Sequence, residues 1–160
     1  MIAGCEGGCA CGEVRYRLTA EPIMVNCCHC RDCQRQTGGA FVINAVIEPR
    51  HVELLGQAPA PWRVESGSGK GQSILRCPAC QVAVWSIYHA AGDGAWFLRA
   101  ATLDEPDRVR PQVHIFTADK LPWLTLSDDI PQRPAFYSGR DLIGLFGEDG
   151  AARWRTVIGR

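Results

Sequence analysis

The chain has 160 residues, 46% of them apolar and 21% charged, and its 17 basic and 17 acidic side chains cancel to a formal net charge of zero. A chain of this length buries roughly 70% of its extended surface as one domain, so its core does not depend on cross-links. With no block of one sign, the charge argues against a nucleic-acid or anionic-membrane partner, whose phosphates need a basic face.

The opening MIAGCEGGCACGEVRY has no basic segment followed by an apolar run, so no secretory signal is expected. No stretch approaches 18 consecutive apolar residues, so no membrane span is expected either, and a cytoplasmic location follows. Residues 12–20 alternate Val14, Tyr16 and Leu18 against Glu13, Arg15 and Arg17, the period of a half-buried strand. RDCQRQTG (31–38) reads as a single helical turn. Residues 40–47 form a buried-strand run. Further strands are expected at 51–56, 73–76, 82–88, 95–103 and 113–116, separated by Gly, Pro and Asp turn signals. LPWLTL (121–126) fits no element clearly, and GRDLIGLFG (139–147) predicts one short helix near the end. These elements predict an all-β fold of short antiparallel strands whose loops carry the cysteines. The last twenty or so residues, with a Gly-Glu-Asp-Gly break at 147–150, read as an appended tail.

Nine cysteines dominate the composition. An odd number without an export signal reads as metal binding in a reducing compartment rather than as a disulfide framework. Cys9 and Cys11 form a C-x-C pair and Cys77 and Cys80 a C-x-x-C pair. Each is half of a tetrahedral thiolate cage, so the two together make a closed, structural zinc site. Cys28, Cys30 and Cys33 lie within six residues, so one loop can wrap one ion with three sulfurs. Cys27 is a poor fourth ligand because neighbours on an extended chain point to opposite faces. Three protein ligands and an open position are the pattern of catalytic zinc. A second closed site completed by Cys5, His29 or a remote histidine is the alternative. His29, between two ligands, is expected to point outward, and His114, in a strand, to be structural.

GGCACGEVRY, CHCRDCQRQTGGAF, RCPAC and ATLDEPDRVRPQVHIFTADKLPW, in that order over about residues 6–131, resemble the glutathione-dependent formaldehyde-activating enzyme family, which includes centromere protein V. The resemblance implies a tent-like all-β fold with two zinc ions per chain, in a zinc-binding domain over 1–134 with a C-terminal extension over 135–160 outside the match. Cys9, Cys11, Cys77 and Cys80 would hold the structural ion and Cys28, Cys30 and Cys33 the catalytic one. Three positions depart from the family pattern: Gln81 follows Cys80 where glycine is usual, Leu75 replaces an aromatic residue, and Cys27 is extra.

The activity implied is a carbon–sulfur lyase chemistry, joining glutathione or a similar thiol to formaldehyde or another small aldehyde to give an S-hydroxymethyl adduct. Thiolate is the nucleophile, and a coordinated thiol is deprotonated at neutral pH. Three cysteine thiolates leave the zinc unit negative, so a nearby cation is needed, and Arg31 and Arg35 are the candidates by position. A non-catalytic zinc protein that binds glutathione or a protein partner is the second reading. A methionine sulfoxide reductase needs a cysteine late in the chain, and none follows Cys80. A zinc-ribbon nucleic-acid binder is disfavoured by the neutral charge.

Overall fold

A computed structural model describes residues 1–159. Ten strands carry the architecture: β1 (Glu6–Gly8), β2 (Arg15–Leu18), β3 (Met24–Cys28), β4 (Val42–Ile47), β5 (Val52–Leu54), β6 (Ala60–Val64), β7 (Gln72–Arg76), β8 (Ala83–Tyr88), β9 (Trp96–Arg99) and β10 (Val113–Ile115). Two helices accompany them, α1 (Arg31–Thr37) and α2 (Leu142–Val157). β1, β2 and β5 form a small sheet, and the other seven strands form a large one in the order β10-β3-β4-β9-β8-β7-β6. Neighbours in the large sheet run antiparallel except β10, which lies parallel to β3. The fold is all-β, as the sequence predicts. Among the described residues no helix is long and apolar enough to cross a membrane.

Alternation decides what each face of the large sheet meets. Val25, Ala45, Leu98, Trp85 and Leu75 turn toward the small sheet and pack on Val14, Tyr16 and Leu18, which are fully buried. The Tyr16 ring meets Trp85 edge-on at 6.0 Å, and Trp85 stacks on Trp96 at 4.7 Å. Tyr16 lies beneath the β1 backbone and shares a 2.7 Å hydrogen bond with Thr102 Oγ1. A Cβ at Gly7 would stand 2.6 Å from the Tyr16 hydroxyl oxygen, which accounts for the glycine in that motif.

The opposite face carries Met24, Val46 and Phe97, covered by Tyr137, Leu142, Phe146, Ala151 and Trp154 of the C-terminal segment. Burying an aromatic side chain of this kind stabilises by roughly 1.5–3 kcal/mol. Arg153 of α2 adds a two-pronged ion pair to the buried Glu48, at 3.0 and 2.6 Å. Residues 135–159 are thus packed onto the sheet by apolar and ionic contacts together.

Three expectations change. Met24–Cys28 shows no alternation because all five residues are buried, so a strand stands where the sequence pattern suggests a loop. Cys27 and Cys28 consequently sit on β3, not in loops, while Cys33 lies on α1, where a helical turn is expected. The short helix expected at 139–147 does end at the non-helical Gly147 (φ 72, ψ 178), but a second, unexpected helix follows it directly, and the two together make up α2. The Gly-Glu-Asp-Gly segment opens with that break, and the chain re-enters helix immediately after it.

Candidate metal centres and the cavity between sheet and C-terminal helix

Cys9 and Cys11 stand on the turn joining β1 to β2, and Cys77 and Cys80 on the turn joining β7 to β8. The Cys77 carbonyl accepts from Gln81 N at 3.0 Å, and Cys77 N donates to the Val82 carbonyl at 3.0 Å, which folds the second turn tightly. Gln81 closes it in the left-handed region at φ 62. The four sulfurs lie within 4.8 Å of one another, with Cys9 and Cys11 3.4 Å apart and Cys11 and Cys77 3.6 Å apart. Four thiolates bound tetrahedrally at about 2.3 Å would stand about 3.8 Å apart, so the donor set suits zinc in both type and spacing. Against burial, the Val14 backbone N–H and hydrogen bonds from Cys11 and Cys77 bring the Cys9 thiol down to about 6.

Cys28 ends β3, Cys30 caps the N-terminus of α1, and Cys33 lies in its first turn. Their sulfurs also converge within 4.8 Å. Cys30 Sγ accepts from Cys33 N at 3.4 Å. Side-chain hydrogen bonds from Cys28 and Cys33 hold the Cys30 thiol well below its ordinary value, and competition with Cys30 and Cys33 drives the Cys28 thiol well above its own. Like charges this close do not ionise together. Full deprotonation of the three sulfurs requires a cation among them, and zinc fits that donor set. Among the described residues no fourth cysteine, histidine or carboxylate joins the group.

The triplet opens onto a cavity of about 850 Å³ between the large sheet and the C-terminal segment. The cavity floor carries a cross-strand row on β3, β4 and β9, with Asn26 opposite Asn44 and Asn44 opposite Arg99. Arg99 Nη1 donates to Asn44 Oδ1, and Asn44 Nδ2 donates to Asn26 Oδ1 at 3.2 Å. Arg99 is 7% exposed. Burial lowers its pKa, while the charge of Cys33, Cys28 and Cys30 acts in the opposite sense. The cation beside the triplet is therefore Arg99. Arg31 and Arg35 are exposed, and Arg31 is engaged with Gln34 Oε1 at 2.9 Å.

Behind the triplet, on the other face of β3, lies a third group that spacing did not suggest. Cys27, His29 and His114 bring their ligand atoms within 4.8 Å, and all three are buried. His29 Nε2 is 2.9 Å from His114 Nδ1 and 3.6 Å from Cys27 Sγ. His29 points inward, contrary to expectation, because its backbone N–H bonds the β10 carbonyl of Ile115 and draws the ring beneath Phe41. Burial, then the neighbouring His114, pushes the His29 pKa down to about 4, so the ring is neutral.

Sequence reasoning missed Arg99, Asn26 and Asn44. The available signal was a lone arginine at an inward position of WFLR and a lone asparagine inside VINAVI. Both are polar residues where strand alternation demands burial, and such residues must find partners.

A family model described as glutathione-dependent formaldehyde-activating enzyme matches residues 4–119. A Halomonas elongata protein named "putative glutathione-dependent formaldehyde-activating enzyme" is 24% identical over 169 residues, covering 96% of each chain. The crystal structure of a Rhodobacter sphaeroides protein aligns with a TM-score of 0.48 at 18% identity, over 67% of this chain and 92% of that one.

Proposed function

The chain belongs to the glutathione-dependent formaldehyde-activating enzyme family, and from that premise we propose that it joins a thiol such as glutathione to formaldehyde or a related small aldehyde, as a zinc-dependent carbon–sulfur lyase. Cys9, Cys11, Cys77 and Cys80 hold a structural zinc ion, and Cys28, Cys30 and Cys33 hold a second, catalytic one. Zinc bound by three thiolates would supply a position at which an incoming thiol loses its proton near neutral pH.

The chain's own residues do the rest. Arg99 offsets the negative charge that three thiolates concentrate beside the cavity. Asn44 fixes the guanidinium, and Asn26 fixes Asn44, so the cation is oriented before substrate arrives and need not reorganise during reaction. The C-terminal segment covers the sheet and limits water at the reacting atoms. The observation that carries the reading is the convergence of three cysteine sulfurs, without a fourth ligand among the described residues, on a cavity that also holds a buried arginine.

The test is the initial rate of adduct formation from glutathione and formaldehyde, measured over the uncatalysed background, beside glutathione binding by calorimetry. Turnover above background that disappears in Cys30→Ser supports the enzyme. Glutathione binding with no turnover favours the non-catalytic zinc protein.

A further inference from the structure

The cavity is far larger than formaldehyde requires, and its walls differ in chemistry. A volume near 850 Å³ lies in the range of pockets that enclose drug-sized organic ligands. The rim is polar, with the exposed Arg31 and Ser68. The wall facing the sheet is aromatic. Phe136 lies 6.3 Å from Phe116 and 6.4 Å from Trp154, ring centre to ring centre. Phe136 and Trp154 lie outside the residues 4–119 that the family model matches. Between these walls lie two buried donor nitrogens without a partner among the described residues, Arg99 Nε and Asn26 Nδ2, of which only the first carries charge. Arg99 spends Nη1 on Asn44, while its buried Nε has no partner among the described residues. A desolvated guanidinium of this kind calls for an oxygen acceptor.

We propose that the carbonyl substrate carries an aromatic group, which packs against Phe136 and Trp154 while its carbonyl oxygen is received by Arg99. This rests on the reading of Cys28, Cys30 and Cys33 as the place where the thiol reacts. A polar thiol such as glutathione enters by the rim, and the apolar aldehyde occupies the aromatic side. The thiol sulfur forms the new C–S bond with the carbonyl carbon. The C=O π pair moves onto the oxygen facing Arg99, and the proton lost by the thiol ends on that oxygen. The product is a hemithioacetal, with no change of oxidation state and no further reactant.

Two measurements test the proposal on the zinc-loaded protein. The first is the rate enhancement over background with glutathione and either benzaldehyde or formaldehyde. The enhancement for benzaldehyde is expected to exceed that for formaldehyde by about tenfold, as apolar pockets discriminate, and Phe136→Ala is expected to abolish the preference. The second is an NMR titration with benzamide and acetamide, unreactive carbonyls that bind without turnover. Benzamide is expected to shift the Trp154 indole and Arg99 Nε–H signals at concentrations where acetamide does not, and Arg99→Met to weaken it about tenfold, the loss of one charge-assisted hydrogen bond. Benzamide bound at these residues with neither aldehyde turned over would support the proposed cavity and reject the enzyme reading. An enhancement for formaldehyde that equals or exceeds that for benzaldehyde, or benzamide shifts absent from the cavity, would overturn the inference.

Discussion

Gln81 holds φ at 62 in the turn that presents Cys77 and Cys80, a conformation that costs a residue with a Cβ roughly 1–2 kcal/mol. Its side chain recovers part of this by donating to the Pro78 carbonyl at 2.9 Å. Gln81→Gly is therefore expected to raise stability by about 0.5–1 kcal/mol, read as a higher urea midpoint at unchanged slope. This also explains why glycine is usual there in the family. The cysteines divide by what each site closes. Cys9 and Cys77 stand 68 positions apart, so an ion joining them restrains a long loop and its binding energy is folding energy. Cys28 to Cys33 spans six residues and restrains far less. Cys77→Ser or Cys80→Ser is expected to lower the melting temperature by many degrees, whereas Cys30→Ser or Cys33→Ser stays folded and loses one zinc ion. Melting and elemental analysis of the four variants check this, and equal destabilisation at both clusters would make both sites structural. Cys27→Ser should keep the zinc content of the wild type, since its sulfur lies on the opposite face of β3 from the triplet. Cysteine spacing makes the two groups legible in the sequence because each is assembled from close pairs or a triplet. Arg99 is not legible as a member of the site, because it reaches the triplet across β4 and β3, a neighbourhood set by register alone.

At the scale of elements, α2 adds to its apolar packing one buried ion pair and two glycines, the break at Gly147 and the close approach at Gly150. Burial alone would raise the Glu48 pKa, but the guanidinium of Arg153 holds it below the ordinary 4.5. A carboxylate lowered in this way stabilises fully above its unfolded value, and that contribution is lost as pH falls through the lowered folded one. Glu48→Gln leaves Arg153 with the exposed Asp149 at 3.7 Å and the Glu21 carbonyl at 3.0 Å, and should cost about 1–3 kcal/mol near neutrality. The difference in melting temperature between wild type and Glu48→Gln should be constant above about pH 5.5 and shrink toward pH 3; a difference independent of pH would show that the pair contributes no charge interaction. Gly150 passes so close to β3 that a Cβ would stand 2.8 Å from the Ile23 carbonyl oxygen. Gly150→Val should therefore displace α2 and destabilise by about 2 kcal/mol, whereas the exposed Gly144→Ala, with no atom near its Cβ position, should be neutral or slightly stabilising by helix propensity. Strands with one buried face, such as β2, are legible from alternation. β3 and the second half of α2 are not: β3 is buried on both sides, and the apolar face of α2 is interrupted by the two glycines that let it bend and approach.

The whole molecule is two cores on the two faces of one sheet, and the C-terminal segment belongs to the second. We propose that residues 135–160 are an extension of the family domain at 1–134, whose described residues, 135–159, complete this face and cover the cavity. A chain ending at residue 134 would leave Met24, Val46 and Phe97 without the aromatic cover they have in the full chain. It is expected to bind a hydrophobic dye and to melt well below the full chain; an equal melting temperature would make the extension dispensable to the fold. The parallel pairing of β10 with β3 carries a consequence for the order of events during synthesis. Val113 pairs with Asn26 and Ile115 with Cys28, so the strand that carries the first cysteine of the triplet gains its edge partner only after almost ninety further residues have been made. Non-local pairing of this kind slows folding, because the chain between must be closed before the contact contributes. The triplet and the first pair of the other cluster therefore leave the ribosome as free thiols well before their surroundings exist. Filling the proposed zinc sites would require that these thiols stay reduced, and that metal be within reach, for that interval.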